Sequence, residues 1–342
     1  MGGEPPVRER RVRHEPGRTP RRLRGWGGVA GMALACAVAA GLLPLAQDRA
    51  DPRDGRAGSV ASADVPAAPK SVAGDCKNPE ASLKPSGRSG PAVDRIKDRG
   101  YLIAGVDQNS FRWGYRNPAT KDLEGFDIDL ARAIAKDLLG PDGRVVFRAI
   151  PTDQRIPALE QRKVDVIVRT MTINCERIKQ VAFSTAYFEA GQQVLAPKGS
   201  PVTAFNDTLR GRRVCTAAGS TGEAELRRTS HGAKVTTVPS QLDCLVRLQL
   251  GRADAVITDN ALAAGQAAQD PSVELVGEPF TREPYGVAMN LGDDDLVRRV
   301  NKVLEKYRKG GDDSGWMKAY KRWLEDDLDG IDGPPEPTYK KD

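Results

Sequence analysis

Residues 164–180 read VDVIVRTMTINCERIKQ. The first five, 164–168, are short, β-branched and apolar enough for a strand buried inside a parallel sheet. A hydroxyl-rich loop carrying Thr170 and Thr172 follows, then Asn174, Cys175, Glu176 and Arg177, with a helix expected to begin near Glu176. Two hydroxyls, free backbone N–H groups and one arginine thus gather where a strand ends and a helix starts, the edge at which open parallel sheets hold ligands. Helix N-termini favour anions, and a guanidinium grips a carboxylate with two parallel bonds. The corner reads as a carboxylate-binding site; the competing reading is an exposed arginine in a helix's first turn with threonines capping it.

Upstream of this corner, strands are expected at 101–106 and 145–150 and helices at 92–99, 126–139 and 155–161. The order βαβαβα is the signature of a parallel sheet covered by helices. Downstream, a strand at 192–196 ends at Pro197 and a second unit begins. It comprises a strand at 213–216, a glycine-rich loop at 217–222, a helix from about 223, a helix at 242–250 and a strand at 253–258, with Asp259 opening another helix. An extended stretch at 280–289 and helices at 296–308 and 316–324 close the domain. Residues 157–167 and 248–257 echo one another as helix, turn and strand, the first strand ending in Thr170-Met171-Thr172 and the second in Thr258-Asp259-Asn260. Two lobes on one plan, each with polar residues after the equivalent strand, suggest a ligand held between them.

The charge is unevenly spread. The chain of 342 residues carries +6, but residues 1–24 alone hold eight Arg and three Glu, leaving +1 for the rest. With aromatics at 5%, nothing demands a basic or base-stacking surface, so nucleic acid is not an expected partner. Residues 25–46 form an uncharged run of 22, long enough to span a bilayer, and the arginine-rich flank places the N-terminus in the cytoplasm. An uncleaved anchor is favoured over a cleaved signal or a lipoprotein signal ending at Cys36. Outside that run lie Cys76, Cys175, Cys215 and Cys244, an even set that suggests two disulfides with three possible connectivities.

Catalytic chemistry is sparse. The two histidines, His14 and His231, cannot assemble a metal site or a hydrolytic triad. The loop Gly219-Ser220-Thr221-Gly222 lacks the lysine and spacing of a nucleotide-binding loop and reads as a nest of backbone N–H groups at a helix start, or as a plain N-cap. Asp259, at a strand end, can accept from an ammonium or can merely cap a helix. Arg177 and Asp259 together match the zwitterionic head of an α-amino acid. Phe111, Trp113 and Tyr115 are candidates to pack on the ligand's apolar stem.

Residues 102–106, 125–131, 155–159, 171–177 and 183–187, continued by Ala218-Gly219-Ser220-Thr221 and by residues 254–259, resemble the polar amino-acid solute-binding proteins, the family 3 binding subunits of ABC importers. The resemblance covers about residues 92–325. It implies an α/β fold of the type II periplasmic-binding-protein kind, two lobes joined by two crossing hinge strands, with no cofactor and no enzymatic activity. The implied layout is a basic tail (1–24), a signal or transmembrane segment (25–46), a flexible tether (47–90), lobe 1 (91–196 plus 280–325), lobe 2 (197–279) and a loose tail (326–342). By the family pattern Thr172 and Arg177 hold the α-carboxylate, with Thr170, Ser220 and Thr221 adding contacts, and Asp259 holds the α-amino group. Arg155 falls where the glutamate/aspartate branch carries an arginine for the side-chain carboxylate, and Gln241 at a side-chain contact. That branch can carry a second arginine where this chain has Asp107, with Arg112 as a substitute. The implied function is binding of glutamate or aspartate, or their amides, on the outer face of the membrane as a monomer, for a membrane permease. The same module used as a sensor for a membrane signalling partner, or as a dehydratase, are the alternatives. On the expected topology Cys215 pairs with Cys244 within one lobe, and Cys76 with Cys175 staples the tether to the other.

Overall fold

The computed structural model describes residues 76–341, to which every structural statement below is confined; the basic tail, residues 25–46 and most of the tether lie outside them. Among the described residues no helix is long and apolar enough to cross a membrane.

Two five-stranded sheets are built on one plan. In the first, Tyr101–Val106 lies between Arg144–Ala149 and Val166–Ile167, parallel to both; Ala288–Asn290 and Val181–Phe183 complete the sheet antiparallel. In the second, Arg213–Ala217 lies between Lys234–Val238 and Ala255–Asp259, again parallel, with Gln192–Pro197 and Val273–Val276 added antiparallel. The echo between the two halves of the sequence is this repeated plan. The strands Lys234–Val238 and Val273–Val276 carry no sequence signal of their own: the first is exposed at four of its five positions, so no buried face marks it.

The helix Phe126–Leu139 shows how patterning becomes packing. Phe126, Ile128, Leu130, Ala131, Ile134, Ala135 and Leu138 are all buried, an apolar face turned to the first sheet. Its entry depends on Gly125, whose φ is 128° and where a Cβ would stand 2.4 Å from the Trp113 carbonyl oxygen. The helix Pro91–Arg99 starts on a proline and ends on Gly100, in the left-handed conformation.

The chain passes between the sheets twice, through Phe188–Ala190 and back through Glu283–Tyr285, and these two segments pair antiparallel. Phe188 and Tyr285 root the pair in lobe 1, stacked on one another at 5.9 Å and met edge-on by Trp113 at 4.8 Å and 5.7 Å. Aromatics of this size bury roughly 150–250 Å² each, so the hinge strands are anchored in a core.

Both disulfides join the expected partners, with Cα–Cα separations of 5.8 Å for Cys76–Cys175 and 5.5 Å for Cys215–Cys244. Two readings of the chain ends require correction. The last part of the tether is fixed: Ser82 donates to the Phe183 carbonyl at 2.7 Å, and Asn301 Nδ2 donates to Ser82 Oγ at 2.8 Å. The C-terminal tail is not loose either, because Tyr339 lies opposite Ser82 in a parallel bridge, with the Ser82 N–H donating to the Thr338 carbonyl at 3.0 Å and the Lys340 N–H to the Ser82 carbonyl at 2.8 Å. A proline-rich tail cannot extend a helix, but in extended form it satisfies its backbone against that segment.

Candidate functional site

The corner at 164–180 forms, but without the expected helix. Arg177–Lys179 make a single 3₁₀ turn, and Val181–Phe183 returns at once to the sheet. The corner therefore offers side chains, and no α-helix N-terminus, to an anion. Thr170 sits at φ 39°, in the left-handed region, with its N–H held by Asp127 Oδ2 at 3.0 Å; Tyr187 donates to the other Asp127 oxygen at 2.7 Å. Thr172 bridges to Tyr285 on a hinge strand. Arg177 is buried, its Nη1 donating to the Thr172 carbonyl at 2.9 Å and its Nη2 to the Gly219 carbonyl at 3.1 Å. Since Gly219 belongs to lobe 2, Arg177 already spans the cleft.

On the lobe 2 side, Ser220 caps the helix Thr221–Arg228, accepting from the Glu223 N–H at 3.1 Å, so it fills the plain structural role. Thr221 Oγ1 accepts from Gln192 Nε2 at 3.0 Å. Asp259 precedes the helix Asn260–Gln269 yet makes no capping bond; its carboxylate accepts from the Tyr285 hydroxyl at 2.8 Å and from Gln192 Nε2. Beside it stands Glu283, a buried hinge-strand residue that sequence reading did not single out, accepting from Thr281 at 2.9 Å while its Oε2 has no partner.

A third group converges on Thr152. Arg155 is buried and donates to three backbone carbonyls: Thr152 at 2.9 Å, Arg169 at 3.4 Å and, across the cleft, Gly219 at 3.3 Å. The Thr152 hydroxyl donates to Gln241 Oε1 at 3.3 Å and accepts from Arg169 Nη1 at 2.9 Å. Arg169, also missed in the sequence, is 1% exposed and paired with Asp107 at 2.8 Å. Asp107 further accepts from the N–H groups of Gln108 and Asn109 and from Ser110, so it organises its own loop.

Arg112 is not brought to the cleft. Its backbone is left-handed at φ 65°, and its guanidinium pairs with Asp327 at 2.9 Å and Asp326 at 3.3 Å near the end of the chain. Trp113 is core rather than ligand platform: it is 1% exposed and its indole donates to the Ala261 carbonyl at 3.0 Å. Tyr115 and Phe111 pack on each other at 5.0 Å.

Burial dominates the electrostatics. It raises the Asp259 carboxyl to about 7, and the neighbouring charge of Glu283 adds to the rise against the Tyr285 bond and the Arg155 and Arg177 cations. Burial likewise raises Asp127 to about 7. Arg155 is held well below its usual range by burial and then by Arg177 and Arg169, and Arg177 is lowered by burial while Glu283 and Asp259 oppose that. The cleft thus offers two buried cations without a carboxylate in ion-pair contact, Arg155 and Arg177, and two carboxylates, Asp259 and Glu283, in the same state. Among the described residues no group of three or more His, Cys, Asp or Glu is placed to hold a metal ion.

Comparison with known proteins agrees with this architecture. The model of the bacterial extracellular solute-binding proteins, family 3, matches residues 102–326. The ABC transporter glutamine-binding protein GlnH of Bacillus subtilis is 38% identical over 232 residues, covering 68% of this chain and 84% of that protein. Among solved structures, a mutant of ArgBP from T. maritima superposes with a TM-score of 0.64 at 34% identity, covering 68% of this chain and 99% of that one. An ancestral arginine-binding protein bound to glutamine gives a TM-score of 0.61 at 39% identity, covering 66% and 98%.

Proposed function

The chain belongs to the bacterial extracellular solute-binding proteins, family 3, and from that membership we propose that it binds an acidic α-amino acid, glutamate or aspartate, between its lobes for delivery to the membrane permease of an ABC importer. Arg177, with Thr172 and Thr170 beside it, takes the α-carboxylate. Asp259, with Glu283 behind it, takes the α-ammonium. Arg155 takes the side-chain carboxylate, and Gln241 and Thr221 complete the enclosure from lobe 2. The observation that carries the reading is the pair of buried guanidiniums, Arg155 and Arg177, each bonded only to backbone carbonyls. A buried cation left without an anion is costly, and a ligand with two carboxylates supplies one to each.

A second reading, an amide ligand such as glutamine, is favoured by the name of the Bacillus subtilis relative and by the negative charge of Glu283. Titration of the full-length protein in detergent with glutamate, aspartate, glutamine and asparagine decides between them. Acids binding at least about tenfold tighter than amides supports the first reading; the reverse order supports the second. Absence of binding by all four defeats both.

Residues 25–46 anchor this binding domain to the outer face of the membrane in the same proposal. Cell fractionation with surface protease tests it: a mature protein starting at Gln47, released to the medium, rejects the anchor.

A further inference from the structure

Residues 76–82 run from the ligand corner past the hinge. Cys76 is bonded to Cys175, close in sequence to Arg177, and Ser82 is held by the Phe183 carbonyl at 2.7 Å and by Asn301 Nδ2 at 2.8 Å. Between these two fastenings Asn78 takes the left-handed conformation at φ 63°, which asparagine tolerates better than most side chains. The Ala81 N–H donates back to the Asn78 carbonyl at 3.2 Å, and the turn so formed carries Glu80. Behind it lies a cavity of about 530 Å³ lined by Cys76, Glu80, Cys175, Ile178 and Phe183. The segment therefore spans this part of lobe 1 instead of packing on it, and its grip depends on its fastenings.

Glu80 reaches the hinge. Its two oxygens accept from Arg282 Nη1 and Nη2, the second at 3.1 Å. Glu189 takes the same guanidinium at 2.9 Å from Nε and 2.5 Å from Nη2. Both carboxylates are thus bidentate, the strong geometry for such pairs, and together they raise Arg282 above its ordinary range, Glu80 first. Phe188 and Tyr285 root the hinge strands in lobe 1. At the other end the Phe280 N–H donates to the Gln192 carbonyl at 2.9 Å, where Gln192 joins the second sheet. Glu189 and Arg282 lie between these roots, so a segment fastened to lobe 1 holds the side of the hinge that leads to lobe 2. The lobes meet across the cleft in this arrangement, through Arg155 and Arg177 on the Gly219 carbonyl and the Trp113 indole on the Ala261 carbonyl.

We propose that residues 76–82 are a strap over the hinge and that Glu80, through Arg282, stabilises the closed form, so that a residue outside the ligand cleft sets part of the affinity. Opening turns lobe 2 about the segments 188–190 and 283–285. Arg282 moves with the lobe 2 end while Glu80 stays with lobe 1, and the bidentate pair is given up to water. An isolated surface ion pair contributes little, because two long side chains must be ordered for it. Here the guanidinium is already held by Glu189, and the strap fixes the backbone of Glu80 at both ends, so less freedom is lost. Glu80 bonds none of the residues assigned to the ligand, and its contribution is therefore the same for every ligand that closes the lobes. Cys76 is also where the preceding residues of the chain join the domain, so a pull on the N-terminal segment is carried to the hinge by the same strap.

The inference rests on amino-acid binding between the lobes but not on the choice of amino acid, and the test keeps the two apart. The full-length protein, Glu80→Gln, the pair Cys76→Ser with Cys175→Ser, and the triple variant are compared in detergent. Hydrogen exchange of residues 188–192 and 280–285 is followed without ligand, and each protein is titrated with glutamate, aspartate, glutamine and asparagine. Glu80→Gln is expected to speed exchange in the hinge. It should also weaken every ligand by one common factor, at least about threefold, leaving the acid-to-amide ratio unchanged. Without the Cys76–Cys175 bond the same substitution should have less than about half of that effect, because the two fastenings act as a unit. Unchanged hinge exchange or unchanged affinity in Glu80→Gln overturns the inference. So does a loss confined to acids or to amides, which would put Glu80 in the ligand site, and so does an undiminished effect without the disulfide. Absence of binding by all four amino acids in the parent protein defeats the amino-acid reading, while hinge exchange still decides on the strap. Should the cysteine variant unfold, Glu80→Gln alone decides.

Discussion

Arg177 of lobe 1 donates to the Gly219 carbonyl of lobe 2 at 3.1 Å. The residue expected to grip a ligand carboxylate thereby also touches the opposite wall of the cleft, and Arg155 joins it on the same oxygen at 3.3 Å. The side chains expected to recognise the ligand therefore also hold the two lobes together.

Asp259→Ala is expected to abolish amino-acid binding while leaving the domain folded. The carboxylate is buried and held by Tyr285 and Gln192, and an ammonium enclosed without it has no full counter-charge. Calorimetric titration with a thermal melt alongside checks both halves. Binding near wild-type strength by a well-folded variant would place the ammonium elsewhere, with Glu283 the next residue to replace.

Arg155→Met keeps the apolar stem and removes the charge. Affinity for glutamate and aspartate should fall on the order of a hundredfold or more, and for their amides much less. Titration of both proteins with all four ligands measures it. Equal losses would mean that Arg155 acts on closure, through its bond to Gly219, and not on selectivity.

Ligand affinity should weaken below neutral pH. Asp259 lies at about 7 instead of its ordinary 3.8. An ammonium favours the ionised carboxylate, so binding must expel the proton that the free protein carries below that value, and affinity falls by up to about tenfold per pH unit for one proton. Stability without ligand runs the other way. The folded-state values of Asp259 and Asp127 both exceed the unfolded one, so the folded state holds more protons between about 4 and 7 and loses stability as pH rises through that window. Melting curves at pH 5 and pH 7, with and without ligand, test this; a ligand-free protein more stable at pH 7 would contradict it unless other groups outweigh the pair, which Asp127→Asn and Asp259→Asn then reveal.

Replacing both Cys215 and Cys244 by Ser is expected to lower stability by roughly 3–4 kcal/mol through the freed unfolded chain, seen as a lower denaturant midpoint with little change in slope. The bridge closes 29 residues of separation, against 99 for Cys76–Cys175. An unchanged midpoint would show that the strand and helix it joins are held by packing alone.

Much of the plan was legible because its signals are local: β-branched runs, helical stripes and polar residues just after strands. Asp259 and Arg177 were readable as a charge pair because each follows such a strand. Arg169 was not, although it borders the same stretch, because a charged residue after a strand is ordinarily solvated, and only Asp107, brought from 62 positions earlier by the parallel pairing, buries it. Glu283 was hidden in an extended segment whose hinge role depends on its partner strand Phe188–Ala190. The fixed tail has no sequence signature, because Tyr339 and Ser82 lie 257 positions apart and no periodicity announces a single bridge.

Cys215–Cys244 lies within lobe 2, Cys76–Cys175 ties the end of the tether to lobe 1, and both ends of the described chain are fastened to lobe 1 through Ser82 and Tyr339. Lobe 2 is therefore topologically an insert, entered and left only through the paired hinge strands. Oxidation stiffens each half without adding any covalent strut across the opening, so the energy of opening is set by non-covalent contacts and by two stretches of backbone. The same arrangement makes lobe 2 a separable cassette: exchanging it between related chains would alter half of the ligand cage while leaving the terminal fastenings, and whatever the N-terminal segment attaches to, untouched.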